Sequence, residues 1–136
     1  MTGQVLKKGV RLRRWLGLGF VFLWFVVGGI AHFAATDMEV RLVPPNIPWP
    51  RMAIWVSGVF ELIGAAGLLS TRTRRAAGIG LVALTVAVTP VHIYMLQQPE
   101  SFPSIPYWAL QLRLVLQAAL IWLIAWSAGV FQRSPR

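Results

Sequence analysis

Apolar positions along the chain fall into four long runs, near residues 15 to 35, 52 to 70, 76 to 97 and 107 to 131, divided by short polar or proline-rich stretches. At about 1.5 Å per helical residue, each run is long enough to cross a hydrocarbon layer of roughly 30 Å. The pattern predicts an all-α bundle of four transmembrane helices, one integral-membrane domain over residues 1–136. The second connection, "STRTRR", is short enough to make helices two and three an antiparallel hairpin. The first and third, "TDMEVRLVPPNIPWPR" and "QQPESFPSIPYW", are longer and carry Pro44, Pro45, Pro48, Pro50, Pro99, Pro103 and Pro106. Proline favours extended or turning backbone and stops helices cleanly. A faint repeat is visible: His32 precedes "NIPW" and His92 precedes "SIPYW" at nearly the same distance, as two related hairpin units would place them.

Composition moves the chain firmly into the membrane class. Hydrophobic residues make up 57% of its 136 positions and charged ones 12%, too little polar surface for a soluble domain of this size. Trp15, Trp49, Trp55 and Trp108 sit near the ends of apolar runs, where amphipathic rings meet the lipid headgroups. The absence of cysteine excludes disulfides, thiolate metal sites and a dithiol relay within the chain. The net charge of +9 is not accompanied by an aromatic-rich polar patch, so nucleic acid is not an expected partner.

Topology accounts for the charge instead. Lys7, Lys8, Arg11, Arg13 and Arg14 precede the first run, Arg72, Arg74 and Arg75 occupy the second connection, and Arg133 and Arg136 close the chain. The first and third connections set Arg41 and Arg51 against Asp37, Glu39 and Glu100. Basic residues gather on the cytoplasmic side of membrane proteins, so both termini are expected there. The amino end also reads as a solvated arm that touches anionic lipid; as a secretory n-region it is followed by an apolar run about twice the usual length.

Few polar residues interrupt the runs, and their depths agree. Glu61 stands alone in "SGVFELIGAAGLLS", about 14 Å inside the outer end of helix two. Arg113 and Gln117 are four apart, which stacks them on one face of helix four, with Gln117 level with Glu61. His32 and His92 lie about 6 to 8 Å deep at the outer ends of helices one and three. The five residues are predicted to line one polar pocket in the outer half of the bundle, with Arg113 the counter-ion of Glu61. Gly28, Gly29, Ser57, Gly64, Gly78 and Gly80 would let helices approach closely around it. The plainer reading is a structural ion pair that fixes helix register, with interface histidines hydrogen-bonded beside it. Matched histidine depth would also suit two axial haem ligands, and two His with one Glu a metal, but matching depth is a loose coincidence and neither is expected.

The segments "GGIAHF" at 28 to 33, "SGVFELIGAAGLL" at 57 to 69, "TRRAAGIGL" at 73 to 81, "VAVTPVHIYM" at 86 to 95 and "RLVLQAALIW" at 113 to 122 closely resemble the DoxX family of small bacterial membrane proteins. The resemblance implies a four-helix bundle in the bacterial inner membrane and an association with membrane redox assemblies. By position, His32, Glu61, Arg113 and Gln117 occupy the polar places of the family pattern. Two residues depart from it: His92 stands where a small amide is more usual, and Val115 where a proline commonly interrupts the fourth helix. The implied function is an accessory or quinone-handling subunit, with quinone the cofactor in view. The alternative is a non-catalytic bundle that binds lipid or a small apolar solute, or a scaffold for a periplasmic partner. With no intrinsic electron carrier, the chain alone is not expected to be a complete oxidoreductase, and no catalytic residue is assigned. Partners in keeping with this sequence are the lipid bilayer, a membrane or periplasmic redox protein, and further copies of the chain.

Overall fold

A computed structural model describes residues 2–132. Arg133 and Arg136, and the side chain of Lys7, lie outside the described part. The chain is all-helical: α1 (Thr2–Ala34), α2 (Thr36–Val40), α3 (Pro50–Leu69), α4 (Arg74–Ala87), α5 (Thr89–Gln97) and α6 (Tyr107–Ser127), with a 3-10 turn at Pro99–Ser101. Four spans are long and apolar enough to cross a membrane: Lys8–Ala34, Pro50–Leu69, Arg74–Gln97 and Tyr107–Ser127. Their order around the bundle is α1, α3, α4 with α5, then α6, which returns to pack on α1.

The third predicted helix is two helices. Val88 separates α4 from α5, and Pro90 lies in the first turn of α5. Proline has no N–H to donate and its ring crowds the carbonyl four residues earlier, so a helix breaks beside it. The fourth span, where Val115 stands, is unbroken from Tyr107 to Ser127. In the first connection, α2 continues α1 almost directly. Ala35 bends the chain, while its N–H still reaches the Ala31 carbonyl at 2.7 Å and its own carbonyl accepts from Glu39 N–H at 3.1 Å.

The interior is built in layers along the bundle. At the end formed by the amino-terminal half of α1, the α3–α4 turn and the carboxyl end of α6, Leu18, Val21, Phe25, Leu68, Leu81 and Ile124 close into an apolar core. At the other end Met95, Phe102 and Leu110 form a second core, and Leu42 packs against it, so the two proline-rich connections meet there. Large apolar side chains such as Phe20, Trp24, Phe60, Ile79 and Trp122 point outward. A soluble protein would bury many of them; in a bilayer they face lipid.

Close approach of α1 and α3 positions the polar residues. Gly29 and Gly58 meet backbone to backbone: a Cβ on Gly58 would stand 3.0 Å from the Gly29 carbonyl oxygen and 3.0 Å from His32 Cβ. Only hydrogens fit in that space, the usual reason for small residues where membrane helices touch. One turn along, a Cβ on Gly28 would be 2.8 Å from Glu61 Oε2, so the carboxylate lies in the space that glycine leaves on α1.

Candidate functional site

The five residues expected in one pocket form two separate groups. Glu61 on α3 reaches back to α1, where its Oε1 is 3.3 Å from His32 Nε2. The other ring nitrogen, His32 Nδ1, is hydrogen-bonded to Glu39 Oε2 on α2. The expected pairing of Glu61 with Arg113 is not formed: among the described residues Arg113 makes no ion pair, and the cationic partner of Glu61 is a histidine. The physical reason is the glycine contact between α1 and α3, which brings Glu61 against α1. The two helices, α3 and α6, do not adjoin in the ring.

Glu39 was not distinguishable in sequence from the other acids of its connection. Its spacing from His32, seven residues or two helical turns, places both on one face once α2 is seen to prolong α1. Thr36, buried at the bend, donates its hydroxyl to the His32 carbonyl at 2.7 Å and accepts from Trp55 Nε1 at 3.1 Å. That stitches the end of α1 to α3. His32 also sits in the last turn of α1, where the helix dipole favours positive charge.

Hydrogen-bond chemistry sets the proton count of this triad. A neutral imidazole has one donor and one acceptor, whereas both ring nitrogens of His32 face carboxylate oxygens. Each contact needs a proton, so two are held among Glu39, His32 and Glu61: on an imidazolium between two carboxylates, or on an imidazole and one carboxylic acid. Both arrangements have a net charge of −1, and they differ only by a shift of a proton along a hydrogen bond. The side chains of His32 and Glu39 are each 23% exposed and that of Glu61 13%, so the chain runs from the membrane boundary inward.

The second group contains no carboxylate. Gln117 on α6 is buried at 6% exposure and donates from Nε2 to the Thr85 carbonyl at 2.8 Å and to Thr89 Oγ1 at 2.5 Å. Thr89 in turn donates to the same carbonyl at 3.1 Å. The Thr85 carbonyl thus accepts from two side chains beside the α4–α5 break. Since a carbonyl can only accept, the amide orientation is settled, and Gln117 Oε1 must accept from His92 Nδ1. Arg113, one turn nearer the loops on α6, lies within electrostatic reach of His92. Thr85 and Thr89 were missed in sequence; the proline between Thr89 and Val91 is the signal that could have found them.

No hydrogen bond or ion pair among the described residues joins the two groups. Among them, too, no cluster of His, Asp and Glu has the arrangement to hold a metal ion. A cavity of about 550 Å³ opens at the opposite end of the bundle, among arginines.

Fold and polar interior together define a small membrane protein: four apolar spans, with His32, Glu61, His92 and Arg113 partly buried between them. The chain belongs to the family described as a domain of unknown function (DUF8561), whose model matches residues 21–129. That range takes in all four spans and both polar groups. No curated protein and no solved structure matches the chain.

Proposed function

We propose that the protein is a proton-handling accessory subunit of a membrane redox assembly, similar to DoxX proteins and acting on quinone, in a bacterial inner membrane. The observation that carries this reading is the Glu39–His32–Glu61 chain, in which two protons are shared by three groups between the membrane boundary and the bundle interior. Ionisable residues within a span are costly to keep there, and proton relays are a common reason for them. Reduction of a quinone to its quinol takes two electrons and two protons. An electron-carrying partner would supply the electrons, since this chain has no cysteine. The triad would supply the protons, passing each from Glu39 through His32 to Glu61.

Roles among the five candidates then separate. His32 and Glu61 handle protons, joined by Glu39. Arg113, with no ion-pair partner among the described residues, is the donor free to meet a quinone carbonyl. Both amide hydrogens of Gln117 are engaged, so Gln117 positions His92 and the α4–α5 break rather than touching a ligand. Following the charge rule, both termini would be cytoplasmic and the triad would face the periplasmic side.

The test is a solvent extract of the full chain purified in mild detergent, assayed for isoprenoid quinones in wild type, Arg113→Gln and Glu61→Gln. Near-stoichiometric quinone in wild type, reduced by Arg113→Gln and retained by Glu61→Gln, is the expected result. An extract free of quinone would favour the non-catalytic alternative, in which the polar groups only hold the helices in register.

A further inference from the structure

We infer that the arginine-lined cavity at the end opposite the triad is a binding site for a phosphate-bearing anion. Three separate segments build it: Arg11 and Arg14 from α1, Arg74 and Arg75 from the start of α4, and the stretch following α6. Its volume of about 550 Å³ lies within the range of small-ligand sites, and among the described residues no acidic side chain lines it. Thr71, Ser127 and Gln132 add neutral hydrogen-bonding groups at its wall.

The guanidinium groups of Arg74, Arg75 and Arg14 are already held in place. Arg74 donates from Nε to the Leu68 carbonyl at 2.9 Å, near the end of α3, and its guanidinium carbon lies 4.8 Å from the centre of the Trp15 ring. Its Nη2, however, is buried and has no hydrogen-bond partner among the described residues. A buried donor left unmatched is destabilising, and a charged one more so. Arg75 is anchored in the same way, donating from Nε to the Val130 carbonyl at 3.4 Å. Arg14 is packed against Gly129, where a Cβ would stand 2.8 Å from its Nη2; Gly129 also has φ +74°, a conformation other residues adopt only with strain.

Four like charges around one cavity repel each other unless an anion joins them. Guanidinium is the group best matched to phosphate oxygens, through paired N–H donors. A basic cavity between helix ends at the membrane surface suits the headgroup of an anionic phospholipid, whose acyl chains would lie along the exposed apolar face of α1. A soluble phosphorylated solute offers the same chemistry. Electron-linked chemistry at the other end plays no part in this site, so it stands or falls separately from the quinone reading.

Thermal unfolding and native mass spectrometry of the full chain in detergent test the inference, with three probes added in turn: phosphatidylglycerol, phosphatidylcholine and inorganic pyrophosphate. The comparison variant is Arg11→Gln with Arg75→Gln, because Arg11 is exposed and Arg75 makes one long backbone bond, so neither change threatens the fold. We expect phosphatidylglycerol to raise Tm and remain bound to wild type, phosphatidylcholine to do neither, and the double variant to bind about thirtyfold more weakly. Binding of pyrophosphate with the same dependence on the two arginines would place the ligand among soluble phosphorylated solutes. Binding equal in wild type and variant, or no binding of either anion, would overturn the site. Arg74→Lys supplies a second check: it keeps the charge but loses the forked donor, and should weaken anion binding while leaving folding yield near wild type.

Discussion

The two polar groups solve the same problem by different means. Around His32 the buried polar atoms are two carboxylates and an imidazole, matched only by holding two protons that can shift along the contacts. Around Gln117 the amide, hydroxyl and carbonyl groups satisfy one another with no formal charge moved. The first arrangement has alternative proton positions of similar geometry; the second has one. A group with a single satisfied pattern gives rigidity, whereas one with two offers a path for protons. The lesson is that buried polarity in this bundle is divided into an ionisable group and a neutral one, on different pairs of helices.

The largest effect should come from the contact on which the triad is built. Gly58→Leu would drive a side chain into the Gly29 carbonyl and His32, and should cost about 3 kcal/mol in SDS-induced unfolding of mixed micelles. If stability is unchanged, the α1–α3 contact is not as close as described and the triad loses its support. Next, Gln117→Leu leaves His92 Nδ1 without its acceptor and should destabilise by about 1–2 kcal/mol in the same measurement. Quinone recovery should fall no further than the loss of folded protein explains, since this group is structural.

A double-mutant cycle separates the partners of Glu61. His32→Asn combined with Glu61→Gln should show a coupling of about 1 kcal/mol, while Arg113→Ala with Glu61→Gln should be additive to within about 0.5 kcal/mol. Coupling to Arg113 instead of His32 would reverse the assignment. The smallest effect is expected at the rim: Trp55→Phe removes the indole donor to Thr36 and should cost about 1 kcal/mol, with the triad intact.

Periodicity and depth made much of this legible before any fold was known. Span length follows from the rise of a helix against the thickness of the hydrocarbon layer, and the four spans found fall close to the four predicted. Local chemistry was readable too: proline-rich connections end helices, and isolated ionisable residues in apolar runs mark polar groups inside the bundle. Pro90 is the exception, a helix breaker that hydropathy hides because it lies among apolar neighbours.

Partner choice was decided only in three dimensions. Depth along a helix is a single coordinate, and Glu61 and Arg113 agree in it approximately; rotation about the helix axis and the order of helices around the bundle are independent of depth. Contact between Gly29 and Gly58 sets that rotation for α1 and α3, which gives Glu61 to His32 and leaves Arg113 without an ion pair among the described residues. Glu39 joins because a bend at Ala35 folds a connection into one more helical turn. The sequence by itself determined that charge and amide would be buried at these depths; packing of backbone against backbone decided which of them would meet.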